Sequence, residues 1–467
     1  MDTLDSTFGK EERLPTLLSG IGGVKLLGVP TYPYKSTKRV GTLIAEATVG
    51  LLEEWNCKDS AKGMVFDTTI ANTGHKTAGC VAIQEALDRH LLWFACRHHM
   101  GEVVLKHVWD ALKIEVGKKP EITVFERFKE NYENITHSDI AGLDFPSING
   151  VQLSNLREEI IDLCKAALQQ SFTRGDYKEL VNLVLLYLSN DFGEGFGDFL
   201  RPGALHKARW MAKLLYSIKM VLLASKIKDE LPKGAVLATH QVKKLQRFVQ
   251  FAVFCYVPWW ITSPVPSTAP QNDLNFLMRL KAYKTVDKVC SDAAVKAFKN
   301  HLWYLTEELS VLGLYSSNVR DEVKEKMARK LISADKSICA KRFGPTKYGK
   351  PKFPETTDEC EDLSAFVGED SWSFFHILGL KTDFLSLPVK EWSGENGFQH
   401  GKLLVNSLSV VNDAAERGVK LAYDFLGTAK KHEILHKIFQ VVENNRNSQP
   451  NQRKKHIKSK SWFLKLD

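Results

Sequence analysis

Asp67 closes an apolar run in VFDTTIANTGHKTAGC, residues 65–80. A carboxylate at the C-terminal end of a buried strand is a recurrent place for a metal ligand, because the sheet fixes its direction. The alternative role is a cap on the turn that follows, with Thr68, Asn72 and Thr73 as partners. Further on, WFACRHHMGEVVL carries Cys96, His98, His99 and Glu102. Cys96 and His99 have the C-x-x-H spacing, and His98 and Glu102 lie four apart on one helical face. Zinc takes three or four such ligands. With no second ligand pair and no H-E-x-x-H order, hydrogen bonding that organises the strand end is the expected role. Asp413 and Glu416, in VVNDAAERGVKLAYDF, lie three apart and share a helix face. Solvated, they are a charged surface; facing a third acid on a strand, they supply the carboxylates of two-metal phosphoryl chemistry. The basic segment 201–220 centres on Arg209 and Trp210, with Lys207, Lys213 and Lys219 around them. It suits a phosphate backbone with an aromatic for stacking, or a core helix with snorkelling lysines.

The elements that must position these residues fall into two kinds. Residues 13–18 and 24–29 flank SGIGG and predict paired strands. Helical spacing follows over 41–55, a strand over 63–68, a helix over 75–89, a strand over 90–95 and a helix over 98–112. That alternation predicts an α/β layer. From about 116 to 353 the pattern is helical, with helices expected over 153–170, 177–189, 206–225, 241–255, 274–280, 289–314 and 318–333. The Pro-rich stretch 263–271 reads as an extended linker and 341–354 as a basic loop, with a last helix over 403–425. These expectations divide the chain into a core over 1–115 and 356–440, a helical insertion over 116–355 and a basic tail over 441–467.

Composition bounds the function. The 467 residues are 44% hydrophobic and 25% charged, the balance of a globular chain. The formal charge is +9, but from residue 446 to 467 seven basic residues (Arg446, Arg453, Lys454, Lys455, Lys458, Lys460 and Lys465) stand against Asp467 alone, a net +6 that leaves +3 for the rest. Such a tail reads as a phosphate contact or a nuclear import signal. Eight cysteines without a C-x-x-C read as reduced thiols of a nuclear or cytoplasmic, non-secreted protein. The longest apolar stretch, 249–261, is too short to span a membrane.

FDTT-x-x-NTG at 66–74 and CRHH-x-x-E at 96–102, together with ARWMAK, HLWYL and NDAAERGVKL, resemble transposases of the hAT type and proteins derived from them. The resemblance covers nearly the whole chain, though its specific motif is confined to Asp67, Cys96 and His99. It implies an α/β ribonuclease-H-like core interrupted by a large all-α insertion, a triad of acids holding Mg²⁺ or Mn²⁺, and DNA as partner, with self-association open. Asp67 would match the second acid and Glu416 the last, with Asp413 its helix neighbour. Arg209 and Trp210 would match the Arg-Trp of the insertion, and Cys96 and His99 the C-x-x-H. The pattern departs at the start: the family's first acid lies on a central strand, and residues before Arg13 are expected to be too few and too polar to form it. A truncated or catalytically inactive nucleic-acid-binding protein on the same fold is the alternative.

Overall fold

The computed structural model describes residues 4–6, 9–33, 36–74, 78–114, 123–135, 151–170, 172, 175–189, 200–202, 210–230, 239–334 and 350–412. It is mostly helical with small sheets, a mixed α/β arrangement of large helical content.

The glycines of SGIGG make the expected hairpin. Strand β3 (Thr16–Gly20) pairs antiparallel with β4 (Gly23–Gly28), and Gly23 turns the chain at φ +103°, which a side chain would resist. Pro15 and Pro30 have no N–H to give to a ladder, so the pairing breaks there, bridged by Leu14 N–H donating to Pro30 O at 3.0 Å. Beyond the break it resumes as β2 (Gly9–Arg13) against β5 (Thr31–Pro33). A three-residue strand, β1 (Leu4–Ser6), joins the other edge of β2, giving the order β1-β2-β5. The residues before Arg13, expected to be too few and too polar for a central acid-bearing strand, do form strands, but in a sheet separate from the other strands; backbone pairing, with Asp5 opposite Lys10, does not require the apolar pattern by which a strand is recognised.

Helix α1 (Val40–Glu54) turns Leu43, Ile44, Val49 and Leu52 inward against α3 (Gly79–Leu87). Gly79 permits the approach, since a Cβ there would lie 3.0 Å from Ile44 Cγ2. Between them come β6 (Gly63–Phe66) and the one-turn α2 (Ile70–Thr73). The crossover through α3 is long enough to bring β7 (Leu92–Ala95) alongside β6 in parallel, with Gly63 opposite Leu92 and Phe66 opposite Ala95. All four residues of β7 are buried, as a continuous apolar strand covered on both faces requires. Helix α4 (Arg97–Ala111) leaves directly from its end.

One hydrophobic core runs from β6, β7 and α4 through the helical block to residue 410, across the boundary drawn at 115. Helices Val151–Leu168, Gly175–Ser189, Trp210–Leu222, Thr239–Phe251 and Asp321–Ser333 follow the expected spacing. The apolar stretch 249–261 is core: it winds through a π turn at Ala252–Tyr256 into Val257–Thr262, absorbing the N–H that Pro258 lacks. No helix among the described residues is long and apolar enough to cross a membrane.

Three expectations are corrected. The helix over 289–314 is a helix at Lys288–Phe298 followed by short turns at Trp303–Leu305, Glu307–Ser310 and Val311–Tyr315. The segment 263–271 is not extended: it turns, with Ala269 N–H on Pro266 O, and enters the helix Ala269–Ala282, where Pro270 sits in the first turn and costs no hydrogen bond. The last described helix is Asn396–Ser407, earlier than 403–425, which lies largely outside the described residues.

Candidate functional site

The C-terminal ends of β6 and β7 lie side by side, and the residues that leave them build the site. Asp67 follows β6 and performs the capping role that its sequence allows. Its Oδ1 accepts from Thr69 N–H at 3.1 Å, Thr69 Oγ1 at 2.6 Å and Asn72 Nδ2 at 2.7 Å, which sets the turn into α2. Its Oδ2 receives no hydrogen bond from any described residue. One oxygen is therefore anchored, and the other has no donor among the described residues. Burial works to raise the Asp67 carboxyl, but the Thr69 and Asn72 hydrogen bonds and the nearby His99 hold it below its ordinary value. It is an oriented anion.

Cys96 joins the two strands and the distant end of the chain. Its N–H donates to Phe66 O at 2.7 Å, and its Sγ accepts from Asn412 N–H at 3.1 Å. Beside it, Arg97 N–H donates to Val410 O at 2.9 Å. Asn412, the residue before Asp413, thus lies at the strand end that carries Asp67. Asp413 and Glu416 themselves lie outside the described residues, as do Arg209, Lys207, Arg453, Lys454 and Lys455.

The C-x-x-H divides its labour. Cys96 is buried and engaged as above. His98 stacks on Trp260 at 5.4 Å and meets Tyr177 edge-on, so it is a core aromatic. His99 faces the site: its Nδ1 is 3.9 Å from Glu102 Oε2, burial lowers its pKa, and Asp67 opposes that shift. Among the described residues no three His, Cys, Asp or Glu side chains gather to hold a metal ion. A hard divalent cation suits the open Asp67 oxygen as one ligand; any further carboxylates must come from beyond the described residues.

Sequence reasoning missed what holds this strand end. Arg97, completely buried, donates to Asp273 Oδ1 at 2.5 Å, Ser263 O at 2.8 Å and Ala269 O at 3.4 Å, and lies over the Trp259 and Tyr304 rings. Tyr304 donates to Ala95 O at 2.7 Å. The signal was the buried-looking HLWYL beside a charged residue next to an apolar strand. His301, Trp303 and Lys350 also reach this end of the sheet and are taken up below.

Trp210 and Lys213 correct the expected nucleic-acid face. Trp210 is buried against Trp109, and the Lys213 ammonium, also buried, sits 3.7 Å over its ring. Lys219 pairs with Glu179 inside the block, and burial lowers its pKa. The apolar stripe of this helix faces the core and takes its lysines with it, so neither ring nor ammonium is presented to a backbone. No family model, no curated protein and no solved structure matches this chain.

Proposed function

We propose that the chain is a transposase-derived protein that acts on DNA phosphodiesters with Mg²⁺ or Mn²⁺ at Asp67. The observation that carries this reading is the Asp67 carboxylate, fixed through Oδ1 and open at Oδ2, at a strand end onto which residues 410–412 dock. The antiparallel meander β1-β2-β5 followed by the parallel pair β6-β7 supports a ribonuclease-H-like core. The Arg97–Asp273 pair and the Tyr304 hydrogen bond make that strand end rigid, as an oriented ligand requires.

In this reading Asp67 would be one ligand of a divalent ion, whose chemistry when bound would be to acidify water and offset charge on the leaving oxygen. Asp67 contributes a preset ligand oxygen, and Thr69 and Asn72 hold it ionised and aimed. His99, on the α4 side, adds to the forces that keep Asp67 ionised, although burial lowers its own pKa. The +6 tail adds sequence-independent phosphate contact and supports a nuclear location.

The test is metal-dependent nicking of duplex DNA by the full chain and by Asp67→Asn. Activity in the wild type and its loss in the variant support the reading; equal nicking by both refutes the assignment of Asp67. Salt-dependent DNA binding without nicking in either protein replaces it with an inactive binding role on the same fold.

A further inference from the structure

We propose that His301 and Lys350 form a phosphate-holding subsite beside Asp67, set on a wall made by Trp303 and Phe353. The proposal rests on the reading of Asp67 for the identity of the ligand, a phosphodiester of DNA, but not for the existence of the subsite.

The wall is defined by ring contacts. Trp303 packs edge-on against Phe66, the residue before Asp67, at 5.8 Å and stacks on Trp93 at 5.9 Å. Phe353 meets Trp303 at 4.9 Å and 88°. The Lys350 ammonium lies 4.5 Å from the centroids of both rings. No described residue gives Lys350 a carboxylate or a hydrogen bond, so the rings alone hold it. Two residues before Trp303, His301 has a buried Nδ1 with no hydrogen-bond partner. Neither nitrogen of that ring is bonded to a described residue.

The charges point the same way. Burial first, and then the positive charges of His99, Lys350 and His107, push His301 down to about 4. Burial also lowers Lys350. On this side of the strand end, basic side chains from α4, from the turn before Trp303 and from residue 350 lie within electrostatic reach of one another. The acids in view are Asp67 and Glu102, both of which bear on His99. A half-buried ammonium without a counter-ion and a buried imidazole nitrogen without a partner are costly apart from a ligand. An anion with several acceptor oxygens removes both costs: one oxygen accepts from the ammonium and another from an N–H of the neutral His301 ring. A phosphate so placed would lie on the wall whose Trp303 packs against Phe66, the residue before Asp67.

The experiment measures binding of the thymidine dinucleotide dTpdT to the full chain in chelator, by calorimetry and by the imidazole proton resonances of His301. We expect saturable binding that moves those resonances. His301→Phe and Lys350→Gln, the latter keeping much of the stem on the rings, should each weaken binding about tenfold or more, the value of a hydrogen bond to a charged group. Asp67→Asn should keep or tighten it by removing a like charge. Unchanged affinity in both subsite variants, or a His301 signal blind to dTpdT, overturns the proposal. Because no metal is present, this failure leaves the nicking test standing. Conversely, dTpdT binding in a protein that never nicks DNA keeps the subsite and removes the enzymatic reading.

Discussion

Arg97 and Asp273 invite an asymmetric perturbation. Both side chains are completely buried, so removing either strands the other, at about 3–5 kcal/mol. The two orphans have different escapes. In Asp273→Asn the guanidinium cannot lose its proton, and it keeps only the carbonyls of Ser263 and Ala269 and the faces of Trp259 and Tyr304. In Arg97→Met the carboxyl can take up a proton, because burial already raises Asp273 above its ordinary value and only Arg97 and Trp259 pull it back. The folded variant then binds a proton that the unfolded chain, with a carboxylate value of about 4, does not. Stability of Arg97→Met relative to wild type should therefore recover as pH falls from 7 toward 4, by about 1.4 kcal/mol per pH unit once the folded carboxyl is protonated. The Asp273→Asn deficit should not shrink over the same window, because the variant has no carboxyl to protonate. The double variant Arg97→Met/Asp273→Asn should be more stable than the sum of the singles predicts. Urea unfolding followed by tryptophan fluorescence at pH 5, 6 and 7 reads all three. Parallel pH profiles for the two singles, or additivity in the double, would refute the buried-pair argument.

Further outcomes follow from the same geometry. Gly101→Ala places a Cβ 2.5 Å from Trp259 and 2.7 Å from Tyr256, so overpacking should cost about 1–3 kcal/mol in chemical denaturation despite the helix-favouring alanine. Trp210→Ala should lower stability by about 3–5 kcal/mol while leaving the salt slope of DNA binding unchanged, whereas deleting residues 446–467 should flatten that slope with the denaturation midpoint unmoved. Asp287 accepts both N–H groups of Arg247 and caps the helix Lys288–Phe298. Burial works to raise its carboxyl, and the bonds from Arg247 and Cys290 outweigh that, holding it below its ordinary value. Its contribution is then complete above about pH 4 and lost as pH falls through the lower folded value. Asp287→Ala should remove about 1 kcal/mol at pH 7 and little at pH 2.

Helices α1, α3 and α4 were legible because each has one covered face that the apolar period reports, and β7, covered on both, was legible as a short continuous apolar run. The stretch 289–314 was not, because nearly every residue from Leu302 to Tyr315 is buried and a uniformly apolar run carries no sign of where a helix breaks. Asp67 stood out by its place after an apolar strand, and its local capping role was readable too. The division of its two oxygens was not, since that depends on side-chain rotamers. Arg97 and Lys213 escaped for a shared reason: a charged residue in an amphipathic pattern reads as solvated, and only the fold reveals that its counter-charge or ring lies inside. Strand β1 escaped because three residues, two of them polar, carry no apolar pattern and pair through the backbone.

The bond from Asn412 to Cys96 spans 316 residues of chain. Closing a flexible loop of that length costs about 5 kcal/mol in chain entropy beyond a constant term. Contacts of such separation belong to the slow end of folding. During synthesis at about 5–20 residues per second, roughly 15–60 s pass between the emergence of Cys96 and that of Asn412. For that interval the nascent strand end has its Asp67 carboxylate but not the segment that docks beside it. The site is thus among the last parts of the molecule to be assembled on the ribosome, and a chain arrested within the helical block leaves it open.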